Sequence, residues 1–138
     1  MTHEELEEGK ILNLDWEKLG SIAQKNCHVV PVAVQDSHTK ELILVAYANE
    51  KALKRTIETG KAVFWSTSRN ELWEKGLTSG NAYLIEEIRV NCEQNSLLYI
   101  VKPEKGKICH TRNSKGEARN CYYRRLNLVT GELDNLDP

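Results

Sequence analysis

Residues 29–60 read VVPVAVQDSHTKELILVAYANEKALKRTIETG, and this stretch decides the fold. Two β-rich runs, Val29 to Val34 and Leu42 to Tyr47, flank a short polar segment, which predicts an antiparallel hairpin. A helix should follow the second run, because Asn49 is a favourable N-cap and Gly60 a favourable C-terminal stop. The stretch therefore predicts a strand–turn–strand–helix unit.

The rest of the chain adds an earlier helix and more strands. Apolar spacing near 3.6 residues predicts a short helix over 16–23 with Asp15 as its cap. Further predicted strands are 62–67, 72–77, 82–90, 97–101 and 122–126, with 82–90 and 97–101 as a hairpin and a weak last hairpin turning at Thr130-Gly131. We therefore predict an α+β fold: a mainly antiparallel β domain with one or two helices.

Length and composition limit the class of protein. The chain has 138 residues, 40% hydrophobic and 28% charged, which predicts one soluble globular domain. The net charge of −1 argues against a nucleic-acid or membrane binder, and no apolar run approaches the ~20 residues of a membrane span. Residues 1–14 are interpreted as an acidic, solvated leader before a domain over 15–138. They lack the pattern of a secretory signal, which predicts a cytoplasmic protein.

Three of the four cysteines lie in polar segments. Cys92 lies in a polar turn, and Cys109 and Cys121 bracket a loop rich in Lys, Arg, Asn and Gly, whereas Cys27 precedes two valines and is interpreted as a packing residue. A reducing cytosol disfavours disulfides, so a metal site and unpaired thiols both remain open. The spacing matches no zinc finger or ribbon. If the three cysteines bind zinc, an open fourth position would indicate a catalytic rather than a structural site.

A histidine and a basic loop lie beside these cysteines. His110 follows Cys109 directly and could carry a proton at neutral pH, or could be an ordinary surface residue. Between residues 102 and 125 there are eight Lys or Arg and two Glu. This loop could simply be solvated, or it could attract substrate phosphates.

Several motifs in one order resemble those of the phosphoribosyl-AMP cyclohydrolases of histidine biosynthesis. The resemblance covers about Asp15 to Leu126, nearly the whole predicted domain. The matching segments are VQD at 34–36, LVAYANEKAL at 44–53, TGKA at 59–62, FWSTSR at 64–69, LWEKGLTSGN at 72–81, CHT at 109–111 and CYYR at 121–124.

The resemblance implies a function and a set of site residues. Such enzymes open the adenine ring of N1-(5-phosphoribosyl)-AMP by hydrolysing its N1–C6 bond. The implied assembly is an intertwined homodimer with zinc at the interface, held by Cys109 and Cys121 of one subunit and Cys92 of the partner. His110 is the implied proton carrier. The expected substrate-binding residues are Trp65, Arg69, Lys75 and Ser79, although Trp65 and Trp73 could equally be core residues.

The sequence departs from the family pattern in two places. The family's metal turn reads DCDxD, with three aspartates that bind magnesium, whereas residues 91–95 read NCEQN. Two carboxylates are replaced by the amides of Asn91 and Asn95 and only Glu93 remains acidic, so we do not expect a normal magnesium site. The loop at 112–119 is also longer than is usual in the family. Our hypothesis is that Lys115 and Arg119 bind substrate phosphates in place of magnesium.

Three functions remain open at this point. The first is a phosphoribosyl-AMP cyclohydrolase that depends less on magnesium. The second is a zinc hydrolase or deaminase-like enzyme that acts on another purine nucleotide. The third is a non-catalytic nucleotide-binding or metal-binding protein that kept the fold, against which the retention of the three cysteines and His110 argues.

Overall fold

The structure is a computed structural model that describes residues 1–25, 27–75, 81–107 and 109–138. Its elements follow the order predicted from the sequence, with one additional helix at the N-terminus. They are α1 (His3–Glu8), α2 (Lys18–Gln24), β1 (Val30–Asp36), β2 (Leu42–Ala48), α3 (Glu50–Thr59), β3 (Val63–Ser66), β4 (Glu71–Glu74), β5 (Tyr83–Val90), β6 (Leu97–Pro103), β7 (Arg124–Leu126) and β8 (Leu133–Asn135).

A four-stranded sheet with the order β2-β1-β6-β5 forms the centre of the molecule. The two predicted hairpins, β1–β2 and β5–β6, are confirmed as antiparallel pairs. They are joined by a parallel pairing of β1 with β6, which the local sequence did not predict. Both central strands contribute fully buried side chains, such as Val32 and Tyr99, because alternate residues of each strand point into the hydrophobic core. The predicted α+β fold, mainly antiparallel, is confirmed.

Helix α3 packs beside the sheet and ends as predicted. The Asn49 side chain accepts a hydrogen bond from the backbone N–H of Ala52 at 2.9 Å, and Gly60 has a φ of 70°, the left-handed conformation that terminates helices. The buried Thr56 hydroxyl accepts a hydrogen bond from the N–H of Val63 at 3.0 Å. This contact ties the helix to β3, which pairs with β4 in a separate hairpin.

The strands give the sheet two ends that matter for the site. One end carries the β5–β6 turn with Cys92, and we call it the Cys92 end. The opposite end carries the start of β5 at Tyr83, and it lies beside Cys121, whose backbone N–H bonds to the carbonyl of Ile43 on β2. We call this second end the Cys109 end. Strand β5 has 8 residues, so the two ends are separated by roughly 23 Å at about 3.3 Å per residue.

The N-terminal segment forms a short helix that contacts the C-terminal part of the chain. Thr2 and Glu5 form a capping box at the start of α1. The N–H of Leu133 on β8 donates to the carbonyl of Lys10 at 2.7 Å. The last hairpin turns as predicted, with Gly131 at a φ of 74°. The boundary between residues 14 and 15 stays a prediction. Within the described part of the chain, no helix has the length and apolarity that crossing a bilayer requires.

Candidate metal and substrate site

Cys109 and Cys121 lie side by side at the Cys109 end. The loop between them folds back on itself, since the N–H of Cys109 donates to the carbonyl of Arg119. Cys109 is buried, and its sulfur lies 3.1 Å from the hydroxyl of Thr111. Partial burial raises the pKa of the Cys121 thiol, and the neighbouring sulfur of Cys109 raises it further. We call these two residues the cysteine pair.

The chemistry of the cysteine pair fits a divalent cation. Cys109 is buried and Cys121 is exposed. Two adjacent sulfurs of this kind do not become thiolates easily, because their negative charges would repel each other and the charge on Cys109 would be desolvated. A bound divalent cation removes both penalties and deprotonates coordinating thiols. Zinc prefers such ligands. Two of the three cysteines that the sequence predicts as zinc ligands therefore lie together.

Cys92 does not join the cysteine pair within one chain. It is exposed in the β5–β6 turn at the opposite end of the sheet. Among the residues that the structure describes, no three His, Cys, Asp or Glu side chains converge as a metal site. The structure thus brings together Cys109 and Cys121, and it separates both from Cys92.

The polar side chains of the Cys92 turn bond to the turn itself. The amide oxygen of Asn91 accepts hydrogen bonds from the backbone N–H groups of Asn95 and Ser96, each at 2.9 Å. The amide nitrogen of Asn91 donates to the side-chain oxygen of Asn95 at 2.6 Å. The side-chain nitrogen of Asn95 donates in turn to Glu93 at 3.3 Å. These groups therefore stabilise the turn and do not present a set of free anionic oxygens.

Two further side chains lie close enough to the cysteine pair to interact with it electrostatically. Lys75 is half-buried with its Nζ 5.9 Å from the ring centroid of Tyr83. Burial lowers the pKa of Lys75, while the charge of a Cys121 thiolate acts in the opposite direction. The fully buried Tyr83 hydroxyl has no hydrogen-bond partner among the described residues. Burial raises the pKa of Tyr83, and the negative charge of a Cys121 thiolate raises it further. Sequence reasoning missed Tyr83, since an aromatic residue in a strand normally indicates only core packing.

The other predicted substrate residues lie elsewhere or outside the described residues. Trp65 is half-buried in the wall of a groove of about 640 Å³. Arg69 is exposed and pairs with Glu71 at 3.4 Å. Ser79 lies outside the described residues. The groove is lined by Cys27, His28, Val29, Asn49, Glu50, Lys51, Lys54 and Trp65, and an adjoining groove of about 610 Å³ includes Gln94 of the Cys92 turn.

His110 contacts the N-terminal helix. Its side chain is 78% exposed, and its Nε2 lies 2.7 Å from Oε1 of Glu7. This hydrogen bond lowers the pKa of the Glu7 carboxyl. The predicted proton carrier therefore has a carboxylate partner that the sequence assigned to a solvated leader.

Arg119 is fully buried, and this position contradicts the hypothesis that it binds substrate phosphates. Its guanidinium forms a short ion pair with Glu8 of α1 and stacks on the ring of Tyr123 at 3.8 Å. Its Nε donates to the hydroxyl of Thr111 at 3.2 Å, and its Nη1 to the carbonyl of Asp137 at 3.1 Å. These contacts leave the guanidinium 0% exposed and unavailable to a ligand. The same hypothesis for Lys115, which is exposed, stays a prediction.

The chain is similar to known proteins over most of its length. The model of the family described as phosphoribosyl-AMP cyclohydrolase matches residues 44–123. The phosphoribosyl-AMP cyclohydrolase of Archaeoglobus fulgidus is 50% identical over 98 residues, which cover 71% of this chain and 85% of that protein. The one from Cenarchaeum symbiosum is 44% identical over 119 residues, covering 86% and 98%. The histidine biosynthesis bifunctional protein HisIE of Aquifex aeolicus is 46% identical over 98 residues, covering 71% and 45%.

Proposed function

Because the chain belongs to the phosphoribosyl-AMP cyclohydrolase family, we propose that it opens the adenine ring of N1-(5-phosphoribosyl)-AMP in histidine biosynthesis. The reaction is hydrolysis of the N1–C6 bond: water oxygen adds to C6, and N1 leaves with a proton. The observation that carries the proposal is the cysteine pair, with His110 next to it in the chain. A cytoplasmic location is part of the proposal.

We propose that Cys109, Cys121 and the Cys92 of a second copy hold zinc. The two ends of the sheet are roughly 23 Å apart, given the length of β5, and zinc–sulfur bonds are only about 2.3 Å long. A third ligand from the same Cys92 turn would need a large rearrangement, whereas a homodimer could supply it without one. Zinc in a site with three protein ligands and an open position supplies the nucleophile for hydrolysis at neutral pH.

The other predicted site residues have distinct proposed tasks. His110 moves the proton between the attacking water and N1, since a histidine can both accept and donate a proton near neutral pH. Lys75 interacts electrostatically with Cys121 and supplies positive charge where negative charge accumulates. The groove beside Trp65 lies at the Cys92 end, which a second copy would bring to the pair, and it offers an aromatic face for a purine and the ammonium groups of Lys51 and Lys54 for phosphates. Arg69 and Ser79 remain proposed substrate contacts.

We propose that the Cys92 turn does not hold magnesium as a carboxylate turn would. Magnesium prefers hard anionic oxygens in octahedral geometry. Here two of the three positions are amides engaged with each other and with backbone N–H groups. Only Glu93 retains a carboxylate. Activity should therefore depend little on added magnesium.

The altered turn also favours a second candidate, hydrolysis of another purine nucleotide. The cysteine pair and His110 supply the chemical step, whereas the residues around the Cys92 turn adjoin a groove that could select a different substrate. The two candidates share the zinc chemistry and differ in the ring that is attacked.

A spectrophotometric assay separates these possibilities. Zinc-loaded protein is mixed with N1-(5-phosphoribosyl)-AMP, with and without magnesium, beside a Cys109→Ala control. Turnover that the control lacks supports the cyclohydrolase. Equal rates with and without magnesium support the proposal that the Cys92 turn does not hold magnesium. Absence of turnover by folded, zinc-loaded protein rejects the first candidate and directs the assay to other purine nucleotides. Failure to bind zinc at all would contradict both.

A further inference from the structure

The N-terminal residues 2–10, which we call the strap, are tied to the part of the chain that contains the cysteine pair. The carbonyl of Glu7 accepts a hydrogen bond from the hydroxyl of Tyr123 at 2.7 Å. The carbonyl of Gly9 accepts one from Arg124 at 3.1 Å, and that of Lys10 from the N–H of Leu133 at 2.7 Å. Contacts through three backbone carbonyls fix the path of the strap, and with it the directions of its side chains.

The strap supplies the counter-charge of a buried cation. The Arg119 side chain is 0% exposed, and a guanidinium remains charged even when buried. Glu8 contacts both terminal nitrogens of this guanidinium. A buried charge without a partner is strongly unfavourable, so the position of Arg119 depends on Glu8.

Arg119 in turn orients the hydroxyl of Thr111, which contacts the proposed metal ligand Cys109. Its Nε can only donate, so the oxygen of Thr111 accepts this hydrogen bond at 3.2 Å. The hydrogen of the Thr111 hydroxyl is then free to point toward the sulfur of Cys109, 3.1 Å away. A hydroxyl that donates to a sulfur stabilises the thiolate form. The contacts therefore run from Glu8 through Arg119 and Thr111 to Cys109.

A second contact runs from the strap to the proposed proton carrier. Glu7 accepts a hydrogen bond from Nε2 of His110 at 2.7 Å when that nitrogen carries the proton. His110 is mostly exposed, and an exposed ion pair adds little stability. The contact matters for orientation, because the Glu7 backbone is held by Tyr123 and its carboxylate therefore restricts the imidazole ring.

We propose that the strap is a positioning part of the catalytic centre, in which Glu8 orients Cys109 through Arg119 and Thr111, and Glu7 orients His110. This inference rests on the proposed function, because it takes Cys109 as a metal ligand and His110 as the proton carrier. Residues 2–10 lie outside the range 44–123 that matches the family model. The strap is therefore a feature that the family match does not assign.

The test uses the full chain loaded with Co²⁺, whose absorption reports thiolate ligation without any substrate. Wild type is compared with Glu8→Ala, Thr111→Val and a Glu4→Ala control, which changes an exposed carboxylate on the same helix. We expect Glu8→Ala and Thr111→Val to weaken Co²⁺ affinity about tenfold, as is typical for residues behind a metal ligand. Glu4→Ala should bind Co²⁺ as wild type does.

Thr111→Val keeps the ion pair of Arg119 intact, so it decides the inference even if Glu8→Ala does not fold. Wild-type Co²⁺ affinity in Thr111→Val would overturn the role of Glu8. For Glu7, we expect the alanine variant to lower kcat about tenfold while KM stays within about twofold, and Glu7→Gln to restore most of kcat. An unchanged kcat in Glu7→Ala would overturn that role. A wild type that binds Co²⁺ but does not turn over rejects the proposed function, while the affinities still decide the role of Glu8.

Discussion

The Cys92 end and the Cys109 end of the sheet are built in opposite ways. The side-chain hydrogen bonds described for the Cys92 turn run between residues 91 and 96, and the turn is mostly exposed. The Cys109 end draws on positions far apart in the chain, from Glu8 in the strap to Tyr83 in β5 and Arg119 beside the cysteine pair. A local turn can change its side chains without affecting the fold elsewhere. The long-range cluster cannot, because Glu8, Arg119 and Thr111 each supply a polar partner to another of the three.

The largest expected effect is on catalytic activity, when a cysteine is removed from the Cys92 end of one chain and from the Cys109 end of another. Cys92→Ser and Cys109→Ser should each be inactive as purified proteins. If zinc is shared between copies, unfolding and refolding an equal mixture should restore about a quarter of wild-type activity. Half of the dimers then contain both variants, and one of their two sites is complete. The measurement is turnover of N1-(5-phosphoribosyl)-AMP by the zinc-loaded mixture.

The matched control is a mixture of Cys109→Ser with Cys121→Ser. Both changes fall on the cysteine pair, so a shared site predicts that no combination of these chains completes it. Activity in this control would contradict the assignment of ligands. Absence of activity in the first mixture, with both variants folded and dimeric, would contradict the sharing of Cys92 between copies.

A smaller effect should follow from disturbing the buried cation of the Cys109 end. We expect Glu8→Ala to lower the free energy of unfolding by about 2 kcal/mol, less than for a fully buried pair because Glu8 is 41% exposed. Arg119→Met keeps the bulk of the side chain and removes the charge. Combined with Glu8→Ala, it should recover part of the loss, since no buried charge then lacks its partner.

Urea unfolding of the wild type, both single variants and the double variant measures this coupling. Glu4→Ala serves again as the control and should unfold as wild type does. If the two single losses simply add in the double variant, Glu8 and Arg119 are not coupled, and the buried ion pair does not stabilise the Cys109 end.

The elements that were predicted correctly depend on signals close together in sequence. Helix α3 has its cap at Asn49 and its left-handed stop at Gly60, and both behave as local rules require. The two main hairpins follow from apolar runs joined by polar turns. The side-chain hydrogen bonds of the Cys92 turn likewise stay within residues 91–96. The loss of two carboxylates there could therefore be interpreted from the sequence alone.

The features that were missed depend on which distant segments meet. Nothing local indicates that β1 pairs in parallel with β6, or that Glu8 neutralises Arg119 more than a hundred residues later. A run of glutamates normally indicates a solvated segment, and an arginine in a basic loop normally faces water. Tyr83 was also missed, because an aromatic residue in a strand normally indicates core packing. The folded chain gives these residues their roles.

The smallest expected effect concerns the Cys92 turn. Asn91→Ala removes the acceptor of two backbone N–H groups, each 2.9 Å away, so we expect a loss of about 1 kcal/mol in the free energy of unfolding. Asn91→Asp is the matched control, because its carboxylate keeps that acceptor. Combining Asn91→Asp with Asn95→Asp replaces the 2.6 Å amide contact by two facing carboxylates, which repel each other.

The double aspartate variant should therefore be less stable than wild type in a chelator and should recover when magnesium is added, whereas wild type should not respond. Thermal unfolding with and without magnesium measures both. A magnesium response of wild type equal to that of the variant would mean that the amides still permit a cation site. The Cys92 end would then need a cation to complete it, as we propose for the cysteine pair.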